Sequence, residues 1–193
     1  MTLQASDFSL PSCDSRIANL RHKIGWICHA IRGLLVFNVV LSLYGLFHSY
    51  LLRKPEELGG IAATGIDFSG ASDSQWNTVL VASLALWFVI VFTNYAIFHV
   101  FTLYLDGRVY TIEAAIWLRR AGWLGFVTVI ADFVWRTTVV YVLAAHLPDS
   151  VPHKHMFVGT ADVSHLALAL ILFALGHVQK TAAEIADDHA QIV

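Results

Sequence analysis

Four long apolar runs leave this chain little choice of fold. They are Gly33–Leu52, Thr78–Leu105, Gly122–Leu147 and about Val158–Val178. A helix needs roughly 20 mostly apolar residues to cross the hydrocarbon core of a bilayer. None of the runs alternates apolar and polar residues as a barrel strand does. Within lipid, helices and closed barrels are the structures that satisfy every backbone N–H and C=O. The expected fold is therefore all-α, a polytopic membrane bundle of four transmembrane helices. Composition agrees, because only 13% of the residues are charged, against about 25% in soluble domains. The net charge of −2 argues against direct nucleic-acid binding. Residues 1–23 are polar, and the apolar run after them is too long for a signal-peptide core, so no cleaved leader is expected.

Basic residues suggest the orientation. Arg16, Arg21, Lys23, Arg108, Arg119, Arg120 and Lys180 flank one side of the four runs, and Arg53, Lys54 and Lys154 flank the other. Cytoplasmic loops carry the excess of Lys and Arg, so both termini are expected inside. The resulting division is a cytoplasmic tail over 1–23, a transmembrane domain over 24–180 and a helical cytoplasmic tail over 181–193. Cys13 and Cys28 would lie on the reducing side and are read as free thiols. Trp26, Trp76, Trp117 and Trp123 fall at predicted boundaries, as an interfacial aromatic belt would place them.

The connection between the second and third runs is the most structured polar segment. Asp106-Gly107 is a turn signal. Thr111 is a good N-cap, and Glu113 follows in the first turn, where a carboxylate suits the helix dipole. A short helix Ile112–Arg120 would bring Arg119 and Arg120 to the interface. The pair reads as a topological anchor or, with Glu113, as a contact for a cytosolic partner. Two arginines are fewer than the four to eight basic residues of a lipid-specific cluster. In the tail, Ala182, Ile185, Ala186 and His189 share one helical stripe, with Glu184, Asp187 and Asp188 around it.

The segment GRVYTIEAAIWLRRAGW resembles the loop of a bacterial membrane family catalogued as domain of unknown function 2975. The matching residues are Gly107, Tyr110-Thr111, Glu113, Leu118-Arg119-Arg120 and Gly122-Trp123. The tail AEIADDHAQIV is similar to that family's acidic, apolar-ended C-terminus. The resemblance covers about residues 16–193 and implies a four-span fold in the bacterial inner membrane. It implies no activity. It does imply association with a small helix-turn-helix regulator, since members are often encoded beside one. The ten histidines are not explained by it.

Ionisable groups inside a membrane are costly and mark candidate sites. Asp132 and Arg136 lie four apart near the middle of the third run, on one helical face and within pairing reach. Thr128 shares their stripe. They read as an interhelical clamp with Asn38, Thr93 or Asn94, or as the relay of a small transporter. The broken helices and internal repeats of transporters are not apparent.

Histidines at two depths raise a b-type haem as an alternative. His165 and His177 are 12 residues apart and His29 and His48 are 19 apart. At about 100° per residue these pairs diverge by about 120° and about 100°, which does not suit two stacked haems. A single haem between His29 or His99 and His177 is the version left open. His146, Asp149, His153 and His155 form a loop cluster with donors suited to Zn or Cu. No catalytic motif is present. The reading is a non-enzymatic membrane protein with no cofactor expected. It acts by association, as a regulatory partner of a cytosolic factor or as an accessory subunit of a membrane complex.

Overall fold

The computed structural model describes residues 13–53, 68, 70–145 and 159–192. Four helices follow in chain order: α1 (Cys13–Leu52), α2 (Asp73–Leu105), α3 (Ile112–Leu143) and α4 (Thr160–Ile192). No strand occurs among the described residues. Each helix is long and apolar enough to cross a membrane. Their outward faces carry large apolar side chains, such as Leu34, Phe37, Val40, Phe88, Phe92, Leu168 and Ile171. An apolar surface this extensive would aggregate in water; in a bilayer it meets acyl chains. The chain is accordingly a multi-pass membrane protein, and the even number of described helices puts Cys13 and Ile192 at the same end of the bundle.

Packing runs in sequence order, α1 against α2, α2 against α3, and α3 against α4. No comparable interface joins α1 to α4, so the bundle is open along that side. The core gathers at the end away from the termini. There Trp76 and Val79 of α2 meet Trp135, Val139, Val140 and Leu143 of α3, with Tyr50 of α1 packed against them. Within this core the Trp135 indole N–H donates to Ser83 Oγ at 2.8 Å, so a buried donor leaves no unmet demand. Trp76 is thus a core residue, and the interfacial position expected for it is corrected: its indole is only 3% exposed.

Small residues set the α3–α4 approach. A Cβ built on Gly122 would fall 2.5 Å from the backbone nitrogen of Phe173, and one on Gly176 would fall 2.7 Å from that of Arg119. Each glycine admits the facing backbone, which is how membrane helices gain contact where no hydrophobic drive exists between them. This also corrects the expected break between a loop helix and the third span. Gly122 sits inside one continuous helix from Ile112 to Leu143. A mid-helix glycine costs only about 1 kcal/mol, and here close packing offsets it.

Two further boundaries differ from the sequence expectation. α2 begins at Asp73 rather than Thr78, because Ser72 and Gln75 form a capping box in which each side chain meets the other's backbone N–H. The helix of α1 reaches back to Cys13, beyond the lead-in expected from Ile24. α3 ends at Leu143, with Ala144 as its C-cap.

Candidate functional site

Two places bring polar groups together. The first is the turn between α2 and α3. Gly107 takes a positive φ of 80°, which glycine adopts without steric cost and which reverses the chain after α2. Thr111 caps α3, its hydroxyl accepting from the Ala114 N–H at 3.2 Å. Arg108 pairs with Glu113 at 2.5 Å, which folds the turn back on the helix it precedes. Gln179 of α4 then ties the turn down: its amide donates to the Val109 carbonyl, and its oxygen accepts from the Tyr104 hydroxyl at 3.3 Å. The turn is therefore held to all three helices around it, while Tyr110 stays 74% exposed at its tip. Arg120 lies over the Trp117 ring at 4.9 Å, and Trp117 in turn stacks on His99 at 4.4 Å. Arg119 is half-buried, its backbone against Gly176.

The second place is inside the span. Arg136 pairs with Asp132 on its own helix at 2.8 Å and crosses to Asp162 on α4 at 2.5 Å. The other Asp162 oxygen accepts from the Gly159 N–H at 2.8 Å, so that carboxylate also closes the first turn of α4. Arg136 stands seven residues, about 10 Å at a helical rise, before the end of α3. The triad therefore lies toward the end of the bundle away from the termini, not at mid-span as the sequence spacing suggested. Thr93 of α2 and Thr128 of α3 join at 2.8 Å.

Beside the triad a groove of about 360 Å³ opens between α1 and α4, with walls from all four helices. Asp132, Asp162 and His165 line one end, Asn38, Asn94, Thr93 and Thr128 the middle, and Ile97, Val129 and Leu172 the apolar remainder. Asn94 donates to the Ile90 carbonyl at 2.8 Å. Its own carbonyl oxygen takes no hydrogen bond among the described residues, and neither Asn38 nor the second oxygen of Asp132 is bonded there. The clamp expected for Asp132 and Arg136 with Asn38, Thr93 or Asn94 is thus built differently, the interhelical partner being Asp162.

A family model described as a protein of unknown function, DUF2975, matches residues 66–193. The chain belongs to this family. No curated protein and no solved structure matches it. The DUF2975 segment contains α2, α3 and α4 whole. It includes every groove residue except Asn38, which α1 supplies. Its loop motif acquires physical roles here: Gly107 the turn, Thr111 the cap, Glu113 the ion pair, and Gly122 the close approach of α4.

His29 and His177 are exposed on α1 and α4, and His99 is stacked on Trp117. No hydrogen bond or ring contact joins any two of these three among the described residues. His146, Asp149, His153 and His155 lie outside the described residues. Cys28 is a free, buried thiol. Asp162 was missed by sequence reasoning, and His165 was weighed only for haem and not as a neighbour of the carboxylates. Asp162 sits at the edge of its apolar run, where a carboxylate reads as a helix-start residue and its reach to another helix is invisible.

Proposed function

We propose that this DUF2975 protein works by association, as a membrane-embedded partner of a cytosolic factor or an accessory subunit of a larger membrane complex. One observation carries the reading: the α2–α3 turn is pinned to α4 through Gln179, yet presents exposed Tyr110 and Arg120 beside the start of α3. A preordered surface loses less conformational freedom on binding than a loose loop does. Arginine and tyrosine are also the residues enriched where interfaces concentrate their energy. The excess of basic residues at this end supports a cytoplasmic position, with both termini inside and the chain in a bacterial inner membrane. α4 continues beyond Gln179, so Glu184 and Ile185 follow it by one to two helical turns at the same end of the bundle.

The test is mild-detergent purification from native membrane, followed by mass spectrometry of what is retained. The wild-type chain is expected to carry a partner in fixed proportion. Arg119→Glu with Arg120→Glu is expected to lose it while keeping native helicity. Equal recovery with the charge-reversed chain would rule out this end of the bundle as the contact.

A further inference from the structure

The groove between α1 and α4 has no part in that association reading, and its chemistry is specific. It runs along α3 from Ala121 to Asp132, eleven residues or about 17 Å at a helical rise. Its two ends differ. One carries carboxylates, and the rest is mostly aliphatic wall. The volume of about 360 Å³ is in the range of small-molecule sites, and is too small for a two-chain lipid.

The charges beside it do not cancel. Two carboxylates, Asp132 and Asp162, share the single guanidinium of Arg136, so the triad keeps one formal negative charge. Asp162 has both oxygens engaged, one by Arg136 and one by the Gly159 N–H. Asp132 has one oxygen on Arg136 and the other unbonded, with the residue lining the groove. Within the triad the free acceptor is therefore the second oxygen of Asp132, while the Arg136 Nε–H is buried without an acceptor among the described residues. The Asn94 amide nitrogen donates to the Ile90 carbonyl, and its carbonyl oxygen has no donor among the described residues. Asn38, a polar residue on the exposed face of an apolar helix, lines the same groove and has no partner among the described residues. Unsatisfied polar groups inside a membrane are costly, and three of them converge on one cavity. Of these, the two oxygens can only accept, so the complementary group is a donor. The surplus charge makes it a cation.

The geometry points to a binding site for a small amphipathic amine, its protonated ammonium on Asp132 and the Asn94 carbonyl, and its apolar body along Ile97, Val129 and Leu172. An ammonium offers three N–H donors and one positive charge, which matches the free acceptors and neutralises the triad. The opening between α1 and α4 gives such a molecule lateral entry from the bilayer.

The protein in phosphatidylcholine nanodiscs is titrated with n-octylamine, n-octanol and octyltrimethylammonium, and signals from empty nanodiscs are subtracted. Octylamine is expected to saturate one site and to bind at least tenfold tighter than octanol. It should also exceed octyltrimethylammonium, which has the charge but no N–H. Asp132→Asn is expected to weaken octylamine at least tenfold. Val129→Phe fills the apolar part and leaves every charged group of the triad in place. It is expected to abolish binding with an unchanged circular dichroism spectrum, so a fold defect in the Asp132 variant does not decide the matter. Equal binding of octylamine and octanol overturns the proposal. So does octylamine binding that survives Val129→Phe, or that survives Asp132→Asn in a folded protein.

Discussion

Substituting Gly122→Ala separates two opposed physical effects by sign. In an isolated helix, alanine is favoured over glycine by about 1 kcal/mol, so propensity alone makes the variant more stable. The tertiary structure says the reverse. The added Cβ would meet Phe173 N at 2.5 Å, Phe173 Cα at 2.7 Å and the Ala169 carbonyl oxygen at 2.9 Å. Carbon contacts are most favourable at about 3.5–4.0 Å, so α4 has to retreat by roughly 1 Å. All three atoms are backbone, so no flexible side chain can give way. A radial gap of that size forfeits up to half of each contact energy along the seam, and overpacking of this kind costs about 1–3 kcal/mol. With no side chain to relieve it, the upper end applies, and the net loss is about 2 kcal/mol after the propensity gain of about 1 kcal/mol. Gly33→Ala is the control, since nothing lies within 4 Å of its added Cβ. It is expected to gain up to about 1 kcal/mol. Unfolding in mixed micelles on titration with a denaturing detergent, followed by helicity and tryptophan fluorescence, reads both. If Gly122→Ala proves as stable as Gly33→Ala, the α3–α4 approach is wider than described and the packing argument fails.

Other outcomes follow from the same interfaces. Ser83→Ala strands the buried Trp135 N–H and is expected to cost about 1 kcal/mol in the same unfolding assay. Arg136→Leu leaves Asp132 and Asp162 unpaired and is expected to lose about 3–5 kcal/mol, as breaking a buried pair does. Asp162→Asn is expected to lose clearly less, because Arg136 keeps Asp132. Equal losses would mean that the pair with Asp132 holds nothing once Asp162 is gone. Gln179→Ala releases the Val109 carbonyl and the Tyr104 hydroxyl. Amide exchange across residues 106–111 is expected to accelerate, while global stability falls by no more than about 1 kcal/mol. The purified protein is expected to show no Soret band after haem-supplemented expression, and a stoichiometric band would revive the histidine pairing.

Much of the fold was legible because its rules are local or compositional. Thr111 as a cap and Asp106-Gly107 as a turn depend on side-chain reach and backbone freedom within a few residues, and both stand where the sequence puts them. The Ser72–Gln75 capping box was equally local. It went unread because Thr78 looked like the start of the apolar run. The ion pair of Asp132 with Arg136 was legible from a spacing of four. Its continuation to Asp162 was not, since 26 residues separate Asp162 from Arg136 along the chain.

By itself the sequence determined that four helices form and that each suits a bilayer, because apolar length and backbone satisfaction are properties of a segment alone. Which helices touch is a property of facing surfaces. Only the tertiary structure decided that Gly122 and Gly176 seat the backbones of α3 and α4 together, that Trp76 is core rather than belt, and that α1 and α4 stay apart. From that separation come the groove and its unmatched carboxylate, which no one-dimensional pattern of residues encodes.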